Sequence, residues 1–141
     1  FEWVVQKAAE VGIARIAPIV TERTVKLGLP DDRLQKIAQE AAEQSGRGVV
    51  PEITAITDLG TALAAATGTN LIFDISGDKL NSTTLKNVKE INLWIGPEGG
   101  WTDSELAAAK AKNFIVVNLG KLTLRAETAA VVGAYLAGHM D

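Results

Sequence analysis

Three short runs restrict this chain more than anything else in it: "LIFDI" at 71–75, "LWI" at 93–95 and "FIVV" at 114–117. Each is apolar almost without a break, which suits strands covered on both faces and does not suit strands with one wet face. Between and around them the period changes to that of helices. "EWVVQKAAEVG" (2–12) predicts a helix ended by Gly12, and "DDRLQKIAQEAAEQSGR" (31–47) predicts another, with Leu34, Ile37, Ala38, Ala41 and Ala42 on one face. "DLGTALAAATG", "TDSELAAAKAK" and "AETAAVVGAYLAGHM" continue the helical pattern, and "TTLKNV" reads as a short helix. "IARIAPIV" (13–20) reads as a further strand, and "VVPEI" (49–53) as a peripheral one interrupted by its proline. Strands alternating with helices imply an α/β fold, a mostly parallel sheet flanked by helices. The most irregular stretch, 21–33, is the expected mobile loop.

At 141 residues the chain is expected to form one domain. It has no cysteine, which removes disulfides and thiolate metal sites and fits a cytoplasmic protein. No apolar run reaches the roughly 18 residues that a membrane span needs, and no histidine–carboxylate spacing suggests a metal. A net charge of −3 and a pI near 5.2 argue against a strong grip on nucleic acid by this chain alone, because phosphate binding needs a basic face.

In open α/β sheets ligands lie outside the carboxyl ends of the strands, and two loops there stand out. "GPEGG" (96–100) precedes a T-x-x-E capping box made by Thr102 and Glu105. Its glycines permit positive φ and close backbone approach, although a plain Pro-Gly turn before a capped helix explains most of the same residues. "LGKLTLRAET" (119–128) again joins a strand to a helix. Arg125 opens that helix, where the helix dipole disfavours a cation, so it faces a partner or ligand unless it simply pairs with Glu127. The helix body "TAAVVGAYLAG" is apolar all round, which predicts burial in the core or between subunits. The single histidine, His139, suits a helix C-terminus better than catalysis. Arg47 follows Gly46 at a helix exit in "EQSGR". Neither a P-loop nor G-x-G-x-x-G occurs.

"IGPEGGWTDSEL", "LGKLTLRAETAAVVGAYL", "EAAEQSGR" and "EWVVQKAAEVGIARIAPIVTERT" together resemble the RsmE family, the 16S ribosomal RNA uridine-N3 methyltransferases of the SPOUT superfamily. The resemblance covers nearly all of residues 1–140 and carries no motif between 50 and 90. It implies an S-adenosylmethionine-dependent enzyme with a C-terminal trefoil knot, acting as a homodimer on 16S ribosomal RNA in the small ribosomal subunit, without a metal. It also implies an N-terminal RNA-binding barrel domain that this chain lacks, so that residues 1–141 are the SPOUT methyltransferase domain alone, as the opening Phe1 and the acidic balance suggest. Carried onto this sequence, it assigns the cofactor to Gly96, Glu98, Gly99, Gly100, Leu119, Gly120, Leu124, Arg125, Thr128 and Ala129, with Glu98 meeting either a ribose hydroxyl or the cationic end of the cofactor. Arg23, Arg47 and Arg125 are the cations available to stabilise a developing uridine anion. Two rival readings stand beside this one: a SPOUT enzyme with another RNA target, and a non-catalytic dimeric module that binds a nucleotide-like ligand.

Overall fold

The computed structural model describes residues 1–25, 31–46, 49–120 and 124–139. Helix α1 (Glu2–Val11) ends at Gly12, whose φ of 102° is the left-handed conformation that glycine adopts without a Cβ penalty. Strands β1 (Arg15–Ile16) and β2 (Ile19–Val20) follow, then α2 (Asp31–Gln44), β3 (Glu52–Ile53) and β4 (Thr57–Asp58). Val5 of α1 and Leu34 and Ala38 of α2 form a buried cluster with Ile16, Ile37 and Ile53 packed against it.

The remaining elements carry the main sheet: α3 (Leu59–Ala65), β5 (Thr69–Lys79), a short 3₁₀ turn at Ser82–Leu85, β6 (Ile91–Trp94), α4 (Asp103–Ala111), β7 (Ile115–Asn118) and α5 (Ala126–His139). The sheet order is β6-β5-β7, with parallel pairing on both sides of β5. The uninterrupted apolar run of β5 has a direct cause. Ile72 points into a cluster with Leu63, Trp101, Leu106, Ala109 and Phe114, whereas Leu71 and Phe73 join Leu80, Leu85 and Val117. Leu71 and Ile72 are fully buried, each contributing about 1.5–3 kcal/mol by leaving water.

One expectation changes. The single strand expected at 13–20 is split, because Pro18 has no N–H to give a ladder. Thus β1 pairs with β3 and β2 with β4, both parallel, and the second strand carries one residue more than the first between the paired stretches. The parallel arrangement therefore holds, but it is divided between a three-stranded sheet and this broken pair. The last helix, expected to be buried in the core or between subunits, is partly buried within the single chain. Among the described side chains of α5, Gly133 and Ala134 are buried; Val131, Val132 and Leu136 are half-buried, and Tyr135 is 52% exposed. One side of α5 rests on α1 and β6, with Gly133 close under the Phe73 ring. Residues 26–30 of the expected mobile loop lie outside the described residues. No described helix is long and apolar enough to cross a membrane.

Candidate functional site

Three loops leave the carboxyl edge of the parallel sheet. The first was not anticipated. Phe73 and Asp78 both pair with Val117, so residues 74–77 loop out of β5 before it resumes. Gly77 makes this possible: a Cβ there would lie 2.5 Å from the Val116 carbonyl carbon. The Asn118 side chain fastens the loop, donating to the Gly77 carbonyl and accepting from the Gly120 N–H at 3.0 Å. Asp74 accepts the Ser76 N–H at 3.0 Å and the Ser76 hydroxyl.

The second loop is "GPEGG". The Gly100 N–H closes a turn on the Pro97 carbonyl at 2.8 Å, and Gly100 has a φ of 76° with open space where a Cβ would stand. Gly96 lies against Trp101, and a Cβ there would stand 3.0 Å from the indole. Trp101 is itself buried, and its Nε1 donates to the Phe73 carbonyl at 3.1 Å, tying this loop to the end of β5. Gly99 meets Arg23, whose Nη1 donates to the Gly99 carbonyl at 2.8 Å and to the Trp101 carbonyl at 3.4 Å. The capping box forms as expected: Thr102 accepts from the Glu105 N–H and Glu105 accepts from the Thr102 N–H.

In the third loop, Leu119, Gly120, Leu124 and Arg125 are described. Here a cavity of about 100 Å³ opens. Phe73, Asp74 and Ile75 line it from the β5 side, and Asn118, Leu119, Gly120, Leu124 and Ala129 from the β7 side. It is smaller than the roughly 300–1,000 Å³ of ordinary ligand pockets. A larger groove of about 350 Å³ runs between α1 and α2, bounded by Glu2, Trp3, Ile37 and Glu40 among others. It touches none of the three loops, and the smaller cavity at the strand ends is the candidate site.

The structure thus gathers Leu119, Gly120, Leu124 and Ala129 around one cavity and leaves Gly96, Glu98, Gly99 and Gly100 off its wall. Gly99 is small because the Arg23 stem fills the space beside it. Glu98 is exposed, and Thr128 is exposed on the first turn of α5. Arg125 is exposed and forms no ion pair with Glu127 or any other described carboxylate. Arg47 lies outside the described residues. Sequence reading missed Asp74, Ile75, Asn118 and Trp101; the glycine inside the apparent strand "FDISGDK" was the available signal, since Gly in a strand marks a bulge or a close approach. The two carboxylates with perturbed acidity are elsewhere. Thr61 donors hold Asp58 below its ordinary pKa, and Asn92 and Thr67 do the same for Glu90 at the amino end of β6. Among the described residues no cluster could hold a metal ion.

Residues 1–137 match the family profile described as RNA methyltransferase domain. The Ribosomal RNA small subunit methyltransferase E of Synechocystis is 38% identical over 141 residues, spanning 94% of this chain and 46% of that protein. A Ribosomal RNA small subunit methyltransferase E from Neisseria gonorrhoeae, solved bound to S-adenosylmethionine, superimposes with a TM-score of 0.86 at 35% identity, covering 94% of this chain and 57% of that one. A methyltransferase structure from Legionella pneumophila, also with bound S-adenosylmethionine, gives 0.85 at 30% identity over 96% of this chain and 59% of that one. The chain spans about half the length of the curated relatives it matches. With the profile running along nearly all of its length, the chain belongs to the RNA methyltransferase domain family, alongside the ribosomal RNA small subunit methyltransferases E.

Proposed function

We propose that this chain is the S-adenosylmethionine-binding, methyl-transferring part of an enzyme that modifies N3 of a uridine in 16S ribosomal RNA of the small subunit. The observation that carries the reading is the cavity at the carboxyl edge of the sheet: Leu119, Gly120 and Leu124 of "LGKLTLRAET" line it with the adjoining Ala129, at positions the resemblance gives to the cofactor. The residues fit such a ligand. Leu119, Leu124, Ile75 and Phe73 offer apolar surface to an adenine ring, Gly120 leaves the backbone bare, and Asp74 is the one acidic group on the wall among the described residues. Asp74 therefore takes the role that the sequence offered to Glu98, accepting from a ribose hydroxyl.

When bound, the cofactor supplies a methyl group on a cationic sulfur as the electrophile. The chain's own work is alignment and electrostatics. Holding uridine N3 in line with the methyl group contributes up to roughly 7–11 kcal/mol in ideal cases. Arg23, which no described carboxylate neutralises, and Arg125 present positive charge to the uridine as N3 loses its proton, and Arg47 joins them on the substrate side. The proton passes to water or a carboxylate.

The same proposal includes the C-terminal trefoil knot, supported by the close superposition on the solved relatives, and a homodimer in the cytoplasm. Half-buried Val131, Val132 and Leu136 on a helix that is apolar all round support the dimer. Because the chain carries a net charge of −3, most of the RNA affinity comes from outside these residues, from an N-terminal RNA-binding barrel domain. The test is methylation of small-subunit ribosomal RNA followed by nucleoside mass spectrometry. Slow formation of 3-methyluridine is expected from the chain alone, and fast, salt-sensitive formation once an RNA-binding domain is joined to it. A different methylated nucleoside, or none in either form, contradicts the proposal.

A further inference from the structure

Glu105 does more than cap a helix. The residue is buried, at 9% exposure, and both carboxylate oxygens are engaged by backbone donors. One accepts the Thr102 N–H at 2.8 Å, which is the local capping bond. The other accepts the Glu22 N–H at 2.8 Å, from a turn 83 residues earlier in the chain. That turn is held from within as well, because the Thr24 hydroxyl accepts the Thr21 N–H at 2.9 Å. Arg23 is the next residue along, and its guanidinium reaches the Gly99 and Trp101 carbonyls.

We propose that Glu105 is a positioning residue for Arg23, fixing the 21–24 turn to the start of α4 so that the guanidinium is held against the Gly99 carbonyl. Its bearing on methyl transfer rests on the function proposed above; the positioning itself does not. The physical argument is one of degrees of freedom. Arg23 is long and exposed, and its single good contact to Gly99 would not by itself hold one geometry against the side-chain entropy lost, up to about 2 kcal/mol. The Glu22 N–H anchored on a buried carboxylate fixes the backbone from which Arg23 projects, so only the side chain remains to be ordered. A carboxylate suits the task because it is acceptor-only. Both of its partners are N–H donors, and an amide in its place would turn an NH₂ toward one of them.

The experiment compares Glu105→Gln with Thr102→Ala, which damages the same helix cap but leaves both carboxylate bonds in place. Nitrogen-15 NMR of the Arg23 guanidinium is the readout that a merely structural role would not move. In Glu105→Gln this signal is expected to shift toward that of a freely rotating arginine and the Glu22 amide to lose exchange protection, whereas in Thr102→Ala both stay near their original values. An unmoved Arg23 signal in Glu105→Gln, or equal movement in both variants, overturns the proposal. The second arm is turnover at saturating cofactor. Glu105→Gln is expected to lower it about ten-fold in the parent and less than about two-fold in an Arg23→Ala background; full additivity overturns the positioning claim. Should the parent chain bind no cofactor and transfer no methyl group, the proposed function falls, while the NMR comparison still decides the role of Glu105.

Discussion

Arg23 places its Nη1 2.8 Å from the carbonyl oxygen of Gly99, and its aliphatic stem fills the space where a Gly99 side chain would stand. The two residues lie 76 positions apart in the chain and act as one contact. In Gly99→Ala the new Cβ would come within 3.3 Å of the Arg23 Cβ and Cδ, and a flexible stem can give way. The expected cost is about 1 kcal/mol of stability, with a clear loss of turnover because the guanidinium moves. Thermal unfolding and single-turnover kinetics check this. Unchanged turnover would show that the Arg23 position is not critical.

Gly100 differs, because nothing crowds its Cβ position and only its φ of 76° demands glycine. Asparagine tolerates that conformation better than other residues. Gly100→Asn is therefore expected to fold with a loss of about 1 kcal/mol or less. If ligand approaches the loop at this point, cofactor affinity should still fall in that variant. Retained affinity would return Gly100 to the status of a turn residue.

Asp74 gives a third prediction. It is the single acidic residue on the cavity wall among the described residues, and Ser76 already fixes its orientation. Asp74→Asn should weaken S-adenosylmethionine, S-adenosylhomocysteine and adenosine alike, by about ten-fold, as loss of a hydrogen bond to a charged acceptor does. Calorimetry on the three ligands reads it. A loss confined to S-adenosylmethionine would instead place the carboxylate beside the cationic sulfur.

The strands and helices were legible because their causes are local. Continuous apolar runs gave β5, β6 and β7, and Thr102 with Glu105 gave the start of α4 as the structure has it. The loop at 74–77 was hidden because its cause is Gly77 against the Val116 backbone, a contact between segments far apart in sequence. The role of Gly99 was hidden likewise: its glycine signals close approach, but only the fold reveals that the neighbour is Arg23. An all-apolar helix predicts burial in the core or between subunits, and which of the two covers each side of α5 is a tertiary matter that the local sequence does not encode.

Asp58 supplies a pH test away from the site. It caps α3, accepting the Thr61 N–H at 2.8 Å and the Thr61 hydroxyl at 2.7 Å, and these bonds hold its pKa below the ordinary 3.8. A lowered folded pKa means that the stabilisation is present above the ordinary value and is lost as pH falls through the folded one. Amide exchange at Thr61 should accelerate only below about pH 4, and Asp58→Asn, a comparable cap without a titrating group, should abolish that acceleration. Exchange that still quickens in Asp58→Asn would assign it to another group.

The most direct test of the central claim is calorimetric titration of the 141-residue chain with S-adenosylmethionine and, separately, with a nicotinamide dinucleotide. Saturable binding of S-adenosylmethionine, weakened by Gly120→Val on the cavity wall, together with no binding of the dinucleotide, is the expected result. No heat with S-adenosylmethionine, or equal binding of the dinucleotide, would contradict the assignment of this cavity to the methyl donor.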